Sequence, residues 1–213
     1  KKVLVNAGPT YERLDPVRFI GNYSSGKMGI AIANELFARG AEVSLVLGPV
    51  SAANVKDGVK LINVESAQEM LQACSSEFEQ ADAAILAAAV ADYRPKTQAN
   101  QKIKKKSDDF NLELEKTPDV LKHLGSIKAK RILVGFALET NDEITHAKDK
   151  LKKKKLDFIV LNSLQDPGAG FQKDTNKVTI LEKNGKKHTF GTKPKTEVAE
   201  DIIDLLESYL CED

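Results

Sequence analysis

The segment 83–89, AAILAAA, constrains the fold more than any other part of the chain. An unbroken apolar run of this length has no polar face to offer water, so it suits a strand covered on both sides. A strand covered on both sides needs helices above and below its sheet, and that implies parallel neighbours. The flanking sequence supplies them. Residues 2–6 (KVLVN), 42–47 (EVSLVL), 59–64 (VKLINV), 132–136 and 157–161 read as further strands. Between them lie helical patterns. One begins at a cap on Ser24 or Ser25, carries Met28, Ile32, Leu36 and Phe37 on its apolar face, and stops at Gly40. A second, 66–80, opens with Ser66 and Glu69 in capping-box spacing. Others are expected near 119–124 and 142–154. This alternation predicts an α/β fold with a doubly wound, mainly parallel sheet.

Three segments depart from the pattern. The stretch after the first strand is irregular up to the first helix. Residues 94–116 are polar and lysine-rich, apart from the alternation Phe110, Leu112, Leu114, and read as an exposed flap that returns through one strand. Residues 178–181 and 187–190 flank Asn184-Gly185, which marks a C-terminal β-hairpin, and a last helix is expected over 197–210. The whole of 1–213 is expected to form one domain with the flap as its appendage.

Charge narrows the partners. The chain has 32 Lys+Arg against 31 Asp+Glu, a net charge of +1, which argues against a general nucleic-acid binder. Within the basic class, 27 of the 32 are lysines, bunched at Lys102 and Lys104 to Lys106 and again at Lys150 and Lys152 to Lys155. No apolar run approaches a membrane span and no signal peptide is visible. Cys74 and Cys211 are too few for a disulfide framework, so a cytoplasmic setting is expected. The chain opens at Lys1, directly on a strand, and reads as a piece of a longer protein.

Several motifs compete. Residues 21–27 (GNYSSGK) match the start of a phosphate-binding loop, but Met28 stands where a Ser or Thr would hold magnesium, and the motif lies about fifteen residues beyond the first strand. Tyr23 and Lys27 have the spacing of a short-chain dehydrogenase, which makes an NAD(P)-dependent oxidoreductase the alternative function. No Gly-x-Gly-x-x-Gly follows the first strand to support it. His123, His146 and His188 have no ligand spacing and read as surface histidines. Ser24, Ser25, Gly26 and Lys27 at a helix start suit an anion, or are an ordinary cap. Ala88 and Asp92 leave the buried strand at its carboxyl end, where doubly wound sheets bind ligands; Asp92 is equally a turn residue.

Taken in order, AGPTYERLDPVRFIGNYSSGKMG (7–29), GAEVSLVLGPV (40–50), AAAVADYRP (87–95), KIKK (102–105), TPDVL (117–121), VGFALET (134–140), KDKLKKKKLDFIVLN (148–162) and GFQKDTNKV (170–178) resemble the phosphopantothenoylcysteine synthetase family. These are the ligase domains of bacterial coenzyme A biosynthesis flavoproteins. The resemblance implies a Rossmann-like fold, a homodimer, and an upstream flavin-dependent decarboxylase domain. It also implies a reaction that joins 4′-phosphopantothenate to cysteine with CTP as substrate and Mg2+ as cofactor. Asn22 then matches the asparagine that handles the acyl-cytidylate, and Lys102 the flap lysine that closes over the reacting groups. Ala88, Asp92, Pro118, Asp119, Val120, Leu121, Phe136, Lys150 and Lys154 match segments that frame the nucleotide, with Asp92 accepting from ribose or helping to hold the metal. Lys106, Lys152, Lys153 and Lys155 are expected to be solvated. Thr117, Pro9 and Leu138 depart from the common family pattern and bear on base discrimination.

Overall fold

A computed structural model describes residues 1–104, 110–139, 142–163 and 173–211. Lys105 and Lys106 of the flap, Thr140, and 170–172 of the last matching stretch lie outside the described residues.

Strand β1 (Lys2–Ala7) is buried from Val3 onward. It leads into a hairpin, β2 (Tyr11–Arg13) and β3 (Phe19–Gly21), where the sequence offered only an irregular stretch. Strands this short leave no alternation to detect. Stacking of the Tyr11 and Phe19 rings, centroids 3.8 Å apart, ties them together. Asp15 ties their loop, accepting from the Val17 and Arg18 N–H groups and pairing with the Arg18 guanidinium. That guanidinium holds the Asp15 carboxyl far below the usual carboxylate range.

Helix α1 (Lys27–Ala38) does not start at a serine. Its N-cap is Gly26, in the left-handed region at φ 70°, and Ser24 merely accepts from the Gly26 N–H. A residue without Cβ takes that conformation at little cost. Strands β4 (Glu42–Leu47) and β5 (Lys60–Asn63) follow, then α2 (Ala67–Phe78), opened by the expected capping box of Ser66 and Glu69. Strand β6 (Ala83–Leu86) is wholly buried but ends three alanines short of the expected 89. Beyond it the chain stays beside β1, with Ala87 N–H donating to the Asn6 carbonyl, Ala89 N–H to the Gly8 carbonyl and Ala88 N–H to the Asn6 side chain, but regular pairing is reduced to an isolated parallel bridge between Pro9 and Ala89. The flap base is β7 (Tyr93–Pro95) paired with β8 (Leu114–Lys116). The strand covers only the end of the Phe110–Leu114 alternation, and Phe110 is exposed.

Helix α3 (Val120–Ile127) is capped by Asp119, which accepts from Lys122 N–H at 2.8 Å. Then come β9 (Ile132–Glu139), α4 (Glu143–Lys153), β10 (Phe158–Ser163) and β11 (Thr175–Asn176). The hairpin β12 (Val178–Glu182) and β13 (Lys187–Thr189) turns at Gly185, φ 91°. After β14 (Lys193–Pro194), α5 (Lys195–Cys211) closes the described chain. His188 is not a bare surface histidine: its Nε2 lies 2.7 Å from the buried Glu182 carboxylate.

The main sheet runs β13-β12-β10-β9-β6-β1-β4-β5. Its six strands from β10 to β5 are all parallel, and β12 and β13 extend it antiparallel. Helices α1 and α5 pack on one face over a core of Val5, Ile32, Leu45 and Ile202. Helices α2, α3 and α4 cover the other over Leu4, Met70, Leu124 and Ile159. This is the Rossmann-like order, and the chain reverses its direction of travel across the sheet between β1 and β6.

Candidate active site

A cavity of about 990 Å³ opens at that reversal, beyond the carboxyl ends of β1, β6 and β9. Its floor is the small-residue segment from Ala87 to Asp92, held in place by four side chains. Asn6 accepts from Ala88 N–H at 2.9 Å and Thr10 from Ala91 N–H at 3.0 Å. The Thr117 hydroxyl donates to the Ala91 carbonyl. Asn22 Nδ2 donates to the carbonyls of Ala89 and Val90, at 3.2 and 3.1 Å. Both donors of Asn22 are thereby spent on the floor, and Oδ1 is the atom left to accept from a ligand. Alanines above these bonds let a ligand approach the backbone closely.

The remaining walls carry charge of both signs. At one end, the Lys154 ammonium pairs with Asp119, the cap of α3, while Lys150 donates to the Phe136 carbonyl at 2.8 Å. Burial pushes the Lys154 pKa below that of an ordinary lysine, and the charge of Asp92 opposes the shift. Pro118, Val120, Leu121 and Phe136 form an apolar wall beside this pair. At the other end, Ser24, Ser25, Gly26 and Lys27 bring in the start of α1. Lys27 Nζ lies 2.6 Å from Asp174, and Lys195 lines the same end.

The structure thus gathers Asn22, Ser24 to Lys27, Ala88, Asp92, Pro118 to Leu121, Phe136, Lys150 and Lys154 around one cavity. Lys102 is apart from them. It is exposed and does not line the cavity, and its neighbour Ile103 is latched to the β2–β3 loop by Asp15 and Arg18 at 3.1 Å each. Sequence reading missed Asn6, Asn162, Asn176 and Lys195. A detectable signal existed for Asn6, a polar residue at the carboxyl end of a buried strand. Lys195 had none, being one lysine among many. Cys74, which lies near Asn6, is inert: burial pushes its thiol up to about 12. Tyr23 is exposed and precedes α1, so it shares no helix turn with Lys27, as a dehydrogenase pair would require.

Magnesium can be accommodated. Among the described residues no three His, Cys, Asp or Glu gather into a cage. Asp92 is an exposed carboxylate at the cavity, and one carboxylate plus substrate phosphates is how this cation is commonly held.

Residues 1–210 match the model of the DNA/pantothenate metabolism flavoprotein C-terminal domain. The chain belongs to that family. It is 46% identical over 203 residues to the coenzyme A biosynthesis bifunctional protein CoaBC of Bacillus subtilis, covering 95% of this chain and 50% of that protein. A cysteine/cysteine sulfinic acid decarboxylase from an unknown prokaryotic organism is 54% identical over 204 residues, 95% of this chain and 57% of that one. The chain therefore spans about half the length of these relatives. Among solved structures, the C-terminal domain of a coenzyme A biosynthesis bifunctional protein CoaBC superposes with a TM-score of 0.85 at 43% identity, covering 100% of this chain and 98% of that one. The DNA/pantothenate metabolism flavoprotein of Streptococcus pneumoniae gives 0.84 at 25% identity, with 98% and 99% covered. Both share the Rossmann-like architecture described above.

Proposed function

We propose that the chain is the ligase that condenses 4′-phosphopantothenate with cysteine, driven by conversion of CTP to CMP and pyrophosphate. The observation that carries this reading is the convergence of Asn22, Asp92 and lysines from separate segments on one cavity at the strand-order reversal. Near-half identity to coenzyme A biosynthesis bifunctional proteins supports it.

The chemistry follows from the walls. A carboxylate is a poor electrophile, so its oxygen first attacks the α-phosphorus, forming the acyl-cytidylate while the bond to pyrophosphate breaks. The cysteine amine then attacks the acyl carbon, CMP leaves with the electron pair, and the amine gives up a proton. Charge gathers on phosphoryl oxygens throughout, and Lys27, Lys150 and Lys154 offset it in a partly dry site. Ser24 and Ser25 stand with Lys27 and Gly26 at the positive end of α1. Asp92 is the carboxylate that would hold Mg2+, which supplies charge neutralisation on the triphosphate. Pro118, Asp119, Val120, Leu121, Phe136 and Ala88 frame the nucleotide. Asn22 Oδ1 accepts from the incoming amine and so acts in the second step. Lys102 reaches the site only when the flap 94–116 closes, which requires release of the Ile103 latch.

A homodimer and a fused flavin-dependent decarboxylase belong to the same reading, the latter supported by relatives about twice as long as the matched segment. A cytoplasmic location fits the reaction, and no described helix is long and apolar enough to cross a membrane. The test is pyrophosphate release. It is expected only with CTP and phosphopantothenate together, and faster than with ATP. NADPH binding without such release would favour the oxidoreductase instead, and salt-sensitive binding to random DNA would favour a nucleic-acid module.

A further inference from the structure

The α1 end of the cavity holds a lysine that the reaction just described does not use. Lys195 is the first residue of α5, is only 7% exposed, and lines the cavity. Both features are unfavourable for an ammonium group. Burial strips its water, and the start of a helix carries a positive partial charge. A lysine with no role in binding would be expected to extend into solvent from such a position. Here its Nζ donates to the Lys173 carbonyl instead.

The neighbourhood adds to the positive charge. Burial first, and then the like charge of Lys27, hold the Lys195 pKa below that of an ordinary lysine, with Asp174 opposing. Asp174 answers Lys27 directly at 2.6 Å, yet its side chain is 87% exposed. It is therefore a carboxylate that can swing into water with little loss, whereas Lys195 is fixed. Two ammonium groups beside a carboxylate that can leave suit a ligand that brings about two negative charges.

We infer that Lys195 and Lys27 form a phosphate-binding subsite whose place Asp174 keeps until the ligand arrives. The inference rests on the ligase reading, in which two substrates carry phosphate: the triphosphate, which leaves as pyrophosphate, and the phosphomonoester of the acyl substrate. The shared chemistry is a phosphoryl group with two negative charges.

The two sources separate by titration. Inorganic pyrophosphate and 4′-phosphopantothenate are titrated in turn into the native chain and into Lys195→Gln, Lys195→Arg and Asp174→Asn, by calorimetry at fixed ionic strength. Lys195→Gln is expected to weaken one of the two ligands by about tenfold or more, the scale of a lost charged hydrogen bond, and that ligand names the source. Lys195→Arg should recover most of the affinity. Asp174→Asn should tighten the same ligand several-fold, because the competing carboxylate is gone; a merely structural lysine predicts no such gain. Native affinity of Lys195→Gln for both ligands overturns the subsite, and so does unchanged or weaker binding by Asp174→Asn. If Lys195→Gln fails to fold, the exposed Asp174 variant decides alone. Failure of the native chain to release pyrophosphate from CTP would sink the ligase reading, and the titrations would still decide the subsite.

Discussion

At Asn22 a single amide is divided between structure and chemistry. Its nitrogen holds the Ala89 and Val90 carbonyls, and its oxygen is left for the ligand. Asn22→Asp replaces that donor with a second acceptor, repels the two carbonyls and disturbs the floor. The expected result is a second step slowed about a hundredfold or more, with the acyl-cytidylate accumulating. Mass spectrometry of a single turnover would show it, and normal turnover with no intermediate would rule out the role. Gly48 tests packing rather than chemistry. A Cβ there would stand 1.7 Å from the Pro9 carbonyl oxygen, which belongs to the fixed turn after β1. Gly48→Ala should therefore cost about 1–3 kcal/mol or more, read as a lowered Tm. The sequence showed Asn22 through its motif, but neither the partners of its nitrogen nor the crowding at Gly48. Motifs record residue type and spacing, whereas both facts depend on which loop lies opposite.

Elements were legible in proportion to their burial. Strand β4 and the α2 capping box stand where their patterns placed them, because a two-sided core selects apolar runs and a free helix end selects a cap. The β2–β3 hairpin and the Gly26 start of α1 were not legible, since backbone geometry decides both without periodicity. The flap falls between these cases. Its base pairs as β7 and β8, while Ile103 is held to Asp15 and Arg18, away from the cavity. If closure carries Lys102 to the reacting groups, Lys102→Gln should reduce kcat at least about tenfold while leaving Tm unchanged, because an exposed side chain contributes little to the core. Equal kcat in the two proteins would return Lys102 to plain surface charge. A different knot supports the sheet. Asp157, at the head of β10, accepts from Lys128 at 2.5 Å, Lys183 at 2.8 Å and the Leu133 N–H at 2.8 Å. Burial pushes its carboxyl up, but those donors outweigh burial and leave the pKa below the ordinary value. A carboxyl depressed in the folded state stabilises above the unfolded pKa, about 4, and loses that contribution as pH falls through its folded value. Native protein should thus lose stability below about pH 4 more steeply than Asp157→Asn, which starts lower at pH 7 by about 1–3 kcal/mol. Parallel acid curves would remove Asp157 from the account.

For the whole molecule, the base of the flap adjoins a surface unsuited to water. Phe19 and Val17 on the β2–β3 hairpin are exposed, and so are Tyr93 and Leu114 on the flap base, while β2 packs against β7. Two adjoining short hairpins therefore present apolar side chains together, the sort of patch that marks an interface. The homodimer proposed above would put a second copy of the chain on it. A self-complementary contact through these hairpins would brace the flap base and the β2–β3 loop that latches Ile103, so assembly and flap position would be linked. Phe19→Glu puts a charge among these exposed side chains. Light scattering should give the mass of two chains for native protein at micromolar concentration and of one for Phe19→Glu, with turnover falling as the dimer is lost. Far-ultraviolet circular dichroism should stay close to native, because Phe19 lies outside both cores and its stack on Tyr11 supports only the short β2–β3 hairpin. A native chain that is monomeric at these concentrations, or a Phe19→Glu variant that stays dimeric, would place the interface elsewhere and separate flap control from assembly.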